Sequence, residues 1–240
     1  LDVVRDIDGY NGGGESFTTS ATVQHVSIAD EVGPRQDIVT SQILKPSSRL
    51  IAYDDFDRAD GSLGGQQLPS GQQWEDTTDG DWYTSNGRAE KTWSGGPADE
   101  ILIPETELEI YQEMFTAGPS YSSDRPFTLV LAYQDSNNWV RARVGRQLHI
   151  EYNYSGSVST LVSSGTTDIA RHVHTGRMSA YVMRAGTTAR FRAAISGNSI
   201  KVVVKESNYP NLFSILDNHS KIGIGQGQGG YVEYYYAHKL

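Results

Sequence analysis

Apolar and polar residues alternate with a period of two along most of the chain beyond residue 50. In the segment 139–144, Val140, Ala142 and Val144 share one face, and the residues between them share the other. Successive side chains of a strand point to opposite faces of a sheet, so this alternation predicts strands with one buried and one wet face. The pattern recurs at 128–133, 148–154, 178–182, 191–195, 200–204 and 232–236.

Short stretches of turn-forming residues separate these segments, at 134–138, 185–186 and 196–198. Several strands joined by such turns predict an all-β fold, a two-sheet antiparallel β-sandwich. The segment 105–115 also fits an amphipathic helix, but the alternation through Thr106, Leu108 and Ile110 favours a strand. In the last segment, Val232, Tyr234 and Tyr236 continue the apolar alternation, and the adjacent tyrosines place rings on both faces, so one side could serve an interface.

The first 48 residues have a different pattern. A glycine-rich break at 11–14, together with Pro34 and Pro46, punctuates two short β-like runs at 21–28 and 37–44. Two short strands are seldom stable alone in water. We therefore expect an extended arm or attachment segment at 1–48, which docks on its own sandwich or on a partner subunit, and a β-sandwich domain at 49–240.

Composition narrows the function classes. Hydrophobic residues make up 37% of the chain, enough for a sizeable core, and a net charge of −9 argues against a nucleic-acid-binding surface. The absence of cysteine excludes disulfides, thiolate metal sites and a cysteine nucleophile. No apolar run approaches the ~18 residues that would span a bilayer. Residues 1–6 lack the basic and apolar parts of a signal peptide and begin without Met, so we expect a processed or trimmed chain.

The run DDFDRADGSLG at 54–64 carries more than a generic β pattern. Phe56 is expected to anchor the core, Asp57, Asp60 and Gly61 suit a tight turn, and Leu63 is expected to re-enter the core. Further stretches follow in order: LPSGQQW at 68–74, Trp82, NGRA at 86–89, LVLAYQDSNNW at 129–139 and KIGIG at 221–225.

Together these stretches resemble concanavalin-like, or laminin-G-like, domains of bacteriophage tail proteins and actinobacterial secreted proteins. The resemblance covers residues 50 to 240. It implies a concanavalin-like jelly roll and leaves the ligand open, because this fold hosts lectins, hydrolases and structural modules alike.

Carbohydrate binding combines exposed aromatic rings, which stack on sugar faces, with polar side chains that bond hydroxyls. In the alternative interpretation, Trp74 and Trp82 are core residues and Trp139 covers a sheet edge. We expect at least one of the aromatic candidates Trp82, Tyr83, Trp93 and Trp139 to contact a ligand. The candidate glycan-binding residues are Trp82, Tyr83, Trp93, Trp139, Arg141 and Arg143.

Catalysis by a hydrolase on this fold needs a pair of carboxylates on one strand face. Glu105, Glu107 and Glu109 have that spacing, but the aromatic neighbours of the glycosidase pattern are missing, so we interpret them as a solvated acidic face and predict no catalytic residues. We also predict no cofactor and no metal, since His172 and His174 lack a firm third ligand besides Asp168. Calcium is an alternative at two clusters that turn chemistry also explains: Asp54, Asp55, Asp57 and Asp60, and Asp135, Asn137 and Asn138.

The leading hypothesis is a non-catalytic binding or structural module of a bacteriophage virion surface, such as a minor tail or decoration protein. The viral assignment comes from the resemblance alone. Expected partners are other virion subunits, reached through the arm, and host glycans, with a second copy of the chain as a further alternative and neither nucleic acid nor membrane insertion. The alternative function is a secreted carbohydrate-active enzyme, with Glu107 and Glu109 as its pair, or its carbohydrate-binding module.

Overall fold

The computed structural model describes residues 50–77, 82–91, 99–117, 127–145, 147–165, 175–195, 200–226 and 230–240. The chain divides into two units, Leu1–Ser48 and Arg49–Leu240. The first unit lies outside the described residues, so the arm stays a prediction. Within the described ranges, no helix is long and apolar enough to cross a membrane.

Antiparallel strands are the main elements in the described part of the second unit. In chain order they are β1 Leu50–Asp54, β2 Gly61–Ser62, β3 Glu75–Asp76, β4 Trp82–Thr84, β5 Ala89–Lys91, β6 Asp99–Pro104, β7 Ile110–Ala117, β8 Phe127–Asp135, β9 Asn138–Val144, β10 Leu148–Tyr154, β11 Ser157–Ser163, β12 Thr175–Ala185, β13 Thr188–Ile195, β14 Lys201–Ser207, β15 Lys221–Gln226 and β16 Tyr231–Lys239, with helix α1 Pro210–Asn218 before β15.

The strands form two sheets, as the sequence predicts. Among the described residues, the first sheet has nine strands in the order β14-β13-β12-β7-β16-β5-β4-β2, with β1 also paired to β16. The second has seven, in the order β11-β10-β9-β8-β15-β6-β3. The inward side chains of both sheets belong to one hydrophobic core. The all-β, two-sheet antiparallel sandwich is therefore confirmed.

The two sheets are also joined by polar contacts through the core. Gln112 on β7 is fully buried; its side-chain amide donates to the carbonyl of Val130 on β8 (3.0 Å) and accepts a hydrogen bond from the Tyr235 hydroxyl (3.0 Å). A buried amide that satisfies both of its ends costs little and fixes how the layers align.

The expected inward faces are correct for most strands. Val140 and Ala142 of β9, Val182 of β12 and Phe191 of β13 are fully buried, and their strand neighbours are not. Strand β16 differs. A β-bulge between Val232 and Tyr234 inserts one residue and reverses the alternation, so Tyr235 and Ala237 face the core. The apolar alternation through Val232, Tyr234 and Tyr236 therefore does not mark a single face, while the expectation of tyrosine rings on both faces is confirmed.

The opening motif folds as expected around buried Asp54. One carboxylate oxygen accepts the backbone N–H of Phe56 (2.8 Å) and pairs with Arg58, while the other accepts the indole N–H of Trp74 (2.6 Å). Phe56 and Leu63 are fully buried, which confirms both core predictions. Phe56 has φ +57°, a left-handed conformation that is rare for a large side chain. The Asp54 bonds hold it there.

Among the described residues, the helix lies outside 105–115, the one segment considered as a helix in the sequence analysis before a strand was favoured. Residues 105–109 form an irregular loop, so the predicted strand over 105–115 is wrong for its first half and correct from Ile110 onward. The helix is α1, which begins with Pro210 at its first turn and buries Leu212, Phe213, Ile215 and Leu216. Its signal was the i, i+3, i+4 spacing of these apolar residues.

Candidate functional site

The outer face of the first sheet carries an aromatic surface at its centre. The reversed alternation of β16 turns Tyr234, Tyr236 and His238 outward, in register with Phe115, Glu113 and Tyr111 of β7. We call the outward rings of Tyr111, Phe115, Tyr234, Tyr236 and His238, together with Glu113, the tyrosine face. Each ring is half-buried, so one side packs on the protein and the other meets solvent.

Along β16 the rings form a stacked ladder. Ring centroids are 6.3 Å apart for Tyr234 and Tyr236 and 5.8 Å apart for Tyr236 and His238, with interplanar angles of 21° and 11°. On β7, Tyr111 lies 4.9 Å from the His238 ring, and Phe115 lies 6.0 Å from Tyr234. Rings held by neighbours lose little conformational entropy on binding, so this surface is preorganised.

Glu113 fixes the ladder from below. Its carboxylate is almost fully buried (4% exposed) although it lies on the outer side of the sheet. It accepts hydrogen bonds from the hydroxyls of Tyr111 (2.6 Å) and Tyr234 (2.9 Å) and pairs with the Arg177 guanidinium of β12 (3.0 Å). Bonds to a charged acceptor are the strong class, so one carboxylate orients two rings and a cation.

The tyrosine hydroxyls at this carboxylate stay protonated. Burial, with the hydrogen bond to Glu113 and its negative charge, raises the pKa of Tyr234 to about 12. The same causes raise the pKa of Tyr111, and burial followed by the Glu113 charge raises that of Tyr236. At neutral pH these side chains are donors and apolar surfaces rather than bases.

Among the described residues, no second carboxylate lies directly beside Glu113 on the sheet. Its neighbours along β7 are Tyr111 and Phe115, and its partners across the sheet are Tyr236 and Ser179. Retaining glycosidases place two carboxyl groups about 5–5.5 Å apart, and inverting ones about 6.5–9.5 Å apart. The immediate neighbours of Glu113 supply no such pair.

The tyrosine face continues toward β5 and β4. Tyr231 pairs with Glu90, which in turn pairs with Tyr83, and all three lie on the outer side of the sheet. The Tyr83 hydroxyl donates to Glu90 (2.9 Å), and the Arg88 guanidinium lies over the Tyr231 ring, 4.1 Å from its centroid. Aromatic and hydrogen-bonding groups thus extend across several strands.

Comparisons with known proteins bear on the fold. No family model matches the chain, and no curated protein matches it. Among solved structures, BuGH16B in its wild-type form has a TM-score of 0.52 at 12% identity, covering 78% of this chain and 90% of that one. An inactivated mutant of β-agarase B in complex with agaro-octaose has a TM-score of 0.52 at 11% identity, covering 80% and 93%. The fold is a concanavalin-like jelly roll.

A third match differs in length. The GH43 protein BlXynB from Bacillus licheniformis, as a mutant, has a TM-score of 0.48 at 14% identity, and the matched region covers 79% of this chain. The chain spans 39% of the length of that protein.

The candidate residues from the sequence are divided between the two sheets of the jelly roll. Trp82 is fully buried in the core, as the alternative interpretation holds, so its ring offers no surface to a ligand. Tyr83, the next residue, lies on the outer face of the first sheet, beside the tyrosine face. Trp93 lies outside the described residues.

Trp139, Arg141 and Arg143 lie on the outer side of the second sheet, as their alternation predicts. Trp139 is only 6% exposed, because the Arg141 guanidinium covers its ring at 3.9 Å from the centroid. Arg141 also bonds two carboxylates, Glu151 at 2.8 Å and Glu100 at 3.1 Å. Two of its three guanidinium nitrogens are therefore engaged within the protein, and a glycan role for this group stays a prediction.

The acidic candidates serve as structural groups where the structure describes them. The Glu105 carboxylate accepts the backbone N–H groups of Thr106 (2.8 Å) and Glu107 (2.9 Å), and the Glu107 carboxylate pairs with Lys239 (2.9 Å). Glu105, Glu107 and Glu109 all lie in the loop before β7, so they do not share a strand face.

Turn bonds also occupy the candidate calcium ligands. Besides the bonds of Asp54, the Asp135 carboxylate accepts the backbone N–H of Asn137 (2.8 Å) and the side-chain amide of Asn138 (2.9 Å). Across the described ranges, no three His, Cys, Asp or Glu side chains come close enough to hold a metal ion. Calcium there stays an alternative prediction, and the His172 and His174 pair lies outside the described residues.

Proposed function

We propose that the protein is a non-catalytic glycan-binding module and that its ligand lies across the tyrosine face. The observation that carries this proposal is the stacked ladder of Tyr234, Tyr236 and His238, with Glu113 fixed beneath it. Flat, half-exposed rings suit the apolar faces of sugar rings, and the tyrosine hydroxyls and Arg177 suit sugar hydroxyls.

Two features favour this face over the Trp139 group on the second sheet. Its rings keep an exposed side, whereas Trp139 is covered by Arg141. Its residues also come from β7 and β16 in the middle of the sheet, and Arg177 of β12 adjoins them, so together they form a broad surface. Rigid aromatic side chains supported on strands are the usual anchors of binding sites.

Binding without catalysis is favoured by the surroundings of Glu113. Its carboxylate is engaged by two hydroxyls and a guanidinium, and its nearest partners on the sheet are not carboxylates. A general acid and a nucleophile or base are both needed to cleave a glycosidic bond by the common mechanism.

A place on a bacteriophage virion surface, as a minor tail or decoration protein, is the second part of the proposal. It rests on the resemblance of the 54–64 run and the later stretches to phage tail domains. In this role residues 1–48 attach the chain to other virion subunits, and the sandwich faces outward. Virions made without residues 1–48 should lack the chain when their proteins are analysed by mass spectrometry; normal incorporation would contradict the arm's role.

Glycan binding is tested on an array of bacterial and plant polysaccharides, followed by affinity measurement with the best ligand. We expect Tyr236→Ala to weaken binding about tenfold or more, which corresponds to ~1.4 kcal/mol. Tyr209→Ala is the matched control, because Tyr209 is an exposed tyrosine away from the sheet face. The affinity of the Tyr209→Ala variant for the glycan should equal that of the unchanged protein.

Three results would contradict the proposal. Unchanged affinity in Tyr236→Ala would remove the ladder from the site. A loss confined to Trp139→Ala would move the site to the second sheet. Shortening of the polysaccharide by the unchanged protein, measured by chain-length analysis, would make the protein an enzyme.

A further inference from the structure

The outer face of the first sheet changes from aromatic to positively charged beyond β12. On β13 and β14, the residues next to fully buried Ala189, Phe191 and Ala193 point outward, as do their partners across the pair. These outward positions hold four cations and no carboxylate: Thr188, Arg190, Arg192, Ala194, Lys201, Val203, Lys205 and Ser207. We call Arg190, Arg192, Lys201 and Lys205 the cationic strip.

The arrangement within the strip is unfavourable for the protein alone. Arg190 and Lys205 are directly opposite each other on adjacent strands, and both are exposed. Like charges in this position destabilise a sheet. Within the part of the chain that the structure describes, neither forms an ion pair. The strip also belongs to a chain with a net charge of −9, so overall composition does not account for it.

The strip is continuous with the tyrosine face. Tyr181 on β12 is in register with Tyr111 of the tyrosine face on one side and with Arg192 of the strip on the other. Adjacent strands lie about 4.8 Å apart, so β14 is about 19 Å from β16 across four strand spacings. A single sugar cannot reach both regions, but a polymer of several sugars can.

We infer that the ligand is an anionic glycan polymer, whose sugar rings stack on the ladder while its charged groups reach the cationic strip. The inference rests on the proposed function and adds the chemical class of the ligand. Carboxylate, sulfate or phosphate groups on the polymer would be the anionic partners of Arg190 and Lys205, which form no ion pair within the described part of the protein. Nucleic acid is the competing polyanion, and the comparison with double-stranded DNA below distinguishes it from a glycan.

The first experiment uses matched pairs of polymers with and without charge: polygalacturonate with its methyl ester, and dextran sulfate with dextran. The two pairs distinguish carboxylate from sulfate. We expect the charged member of at least one pair to bind about tenfold or more tighter, and its binding to weaken when sodium chloride rises from about 0.05 to about 0.5 M, since salt screens exposed charges. No preference in either pair would overturn the inference, as would equal or tighter binding of double-stranded DNA.

The second experiment tests the strip itself with Arg190→Glu. This variant replaces a like-charge pair with a cross-strand ion pair to Lys205, so its thermal stability should be unchanged or higher. Affinity for the charged polymer should fall about tenfold, while affinity for its neutral partner stays the same. Lys221→Glu on the second sheet makes the same change in net charge away from this face and is the control.

The two proposals fail in different ways. If Tyr236→Ala weakens binding but Arg190→Glu does not, the tyrosine face binds glycans and the charge inference is wrong. If Arg190→Glu and Lys221→Glu weaken binding equally, only net charge matters and the strip is not a site. If Tyr236→Ala has no effect, the proposed function itself fails.

Discussion

Replacing Glu113 with glutamine tests whether one carboxylate organises the tyrosine face. The substitution keeps the shape of the side chain but removes its charge. It also replaces one oxygen acceptor with an amide donor, so one of the present donors faces another donor. These donors are the hydroxyls of Tyr111 and Tyr234 and the guanidinium of Arg177.

The expected loss of stability follows from the three bonds. A hydrogen bond to a charged group contributes about 1.5–3 kcal/mol and a neutral one about 0.5–1.5 kcal/mol, so each bond weakens by about 1 kcal/mol. Because the surrounding rings are half-exposed, hydrogen bonds to water compensate for part of this loss of stability. A net cost of about 2–3 kcal/mol corresponds to a fall in Tm of about 4–12 °C for a domain of this size.

The assay is thermal unfolding at pH 7, combined with an ultraviolet titration of the tyrosines. Glu113→Gln should lower Tm and also lower the pKa of Tyr234 from about 12, because the negative charge beside its hydroxyl is gone. Glu75→Gln is the control: its carboxylate is exposed and pairs with Lys221, and such pairs contribute little. A Tm and a titration curve equal to those of the control would refute the role of Glu113.

Three further predictions concern the fold. Gly223→Ala should abolish or strongly reduce soluble folded protein, because a Cβ there would lie 2.2 Å from the carbonyl oxygen of Ile101; a cooperative unfolding transition at the original temperature would contradict that close approach. Asp54→Ala should cost about 3–5 kcal/mol in urea unfolding, because it leaves the buried Trp74 N–H and the Arg58 charge without their partner; a cost below about 1 kcal/mol would show that water replaces the carboxylate. Because the pKa of Tyr234 is raised, its protonated hydroxyl stabilises the fold fully below pH ~10, and this contribution is lost as pH rises through about 12. The free energy of unfolding should therefore fall over that pH window. It should fall less in Tyr234→Phe, which has no hydroxyl to ionise.

Much of the sandwich was predictable because a sheet with one buried face requires apolar and polar residues to alternate along each strand. In β9 the small apolar residues alternate with tryptophan and arginine, and the structure places them accordingly. The 54–64 run was also readable, since Phe56 and Leu63 are the large apolar residues among turn formers. At these positions the residue type and its immediate sequence neighbours were enough to predict burial.

The tyrosine face was not predictable in the same way. Tyrosine fits both a core and a wet face, so the alternation of 231–236 could not reveal the bulge that reverses its phase. The face also joins Tyr111 and Phe115 to Tyr234, which are far apart in sequence and meet only through the strand order. The exposure of Trp139 was not predictable for a related reason: a neighbouring arginine covers the ring, and the sequence pattern alone does not show this.

The most direct test of the account is an NMR titration of the protein with the tightest glycan ligand, following the aromatic side-chain signals. The account predicts that the largest shifts belong to Tyr234, Tyr236 and His238, with smaller shifts along β12 and β13. Shifts confined to the second sheet, or spread evenly over all aromatic signals, would contradict it.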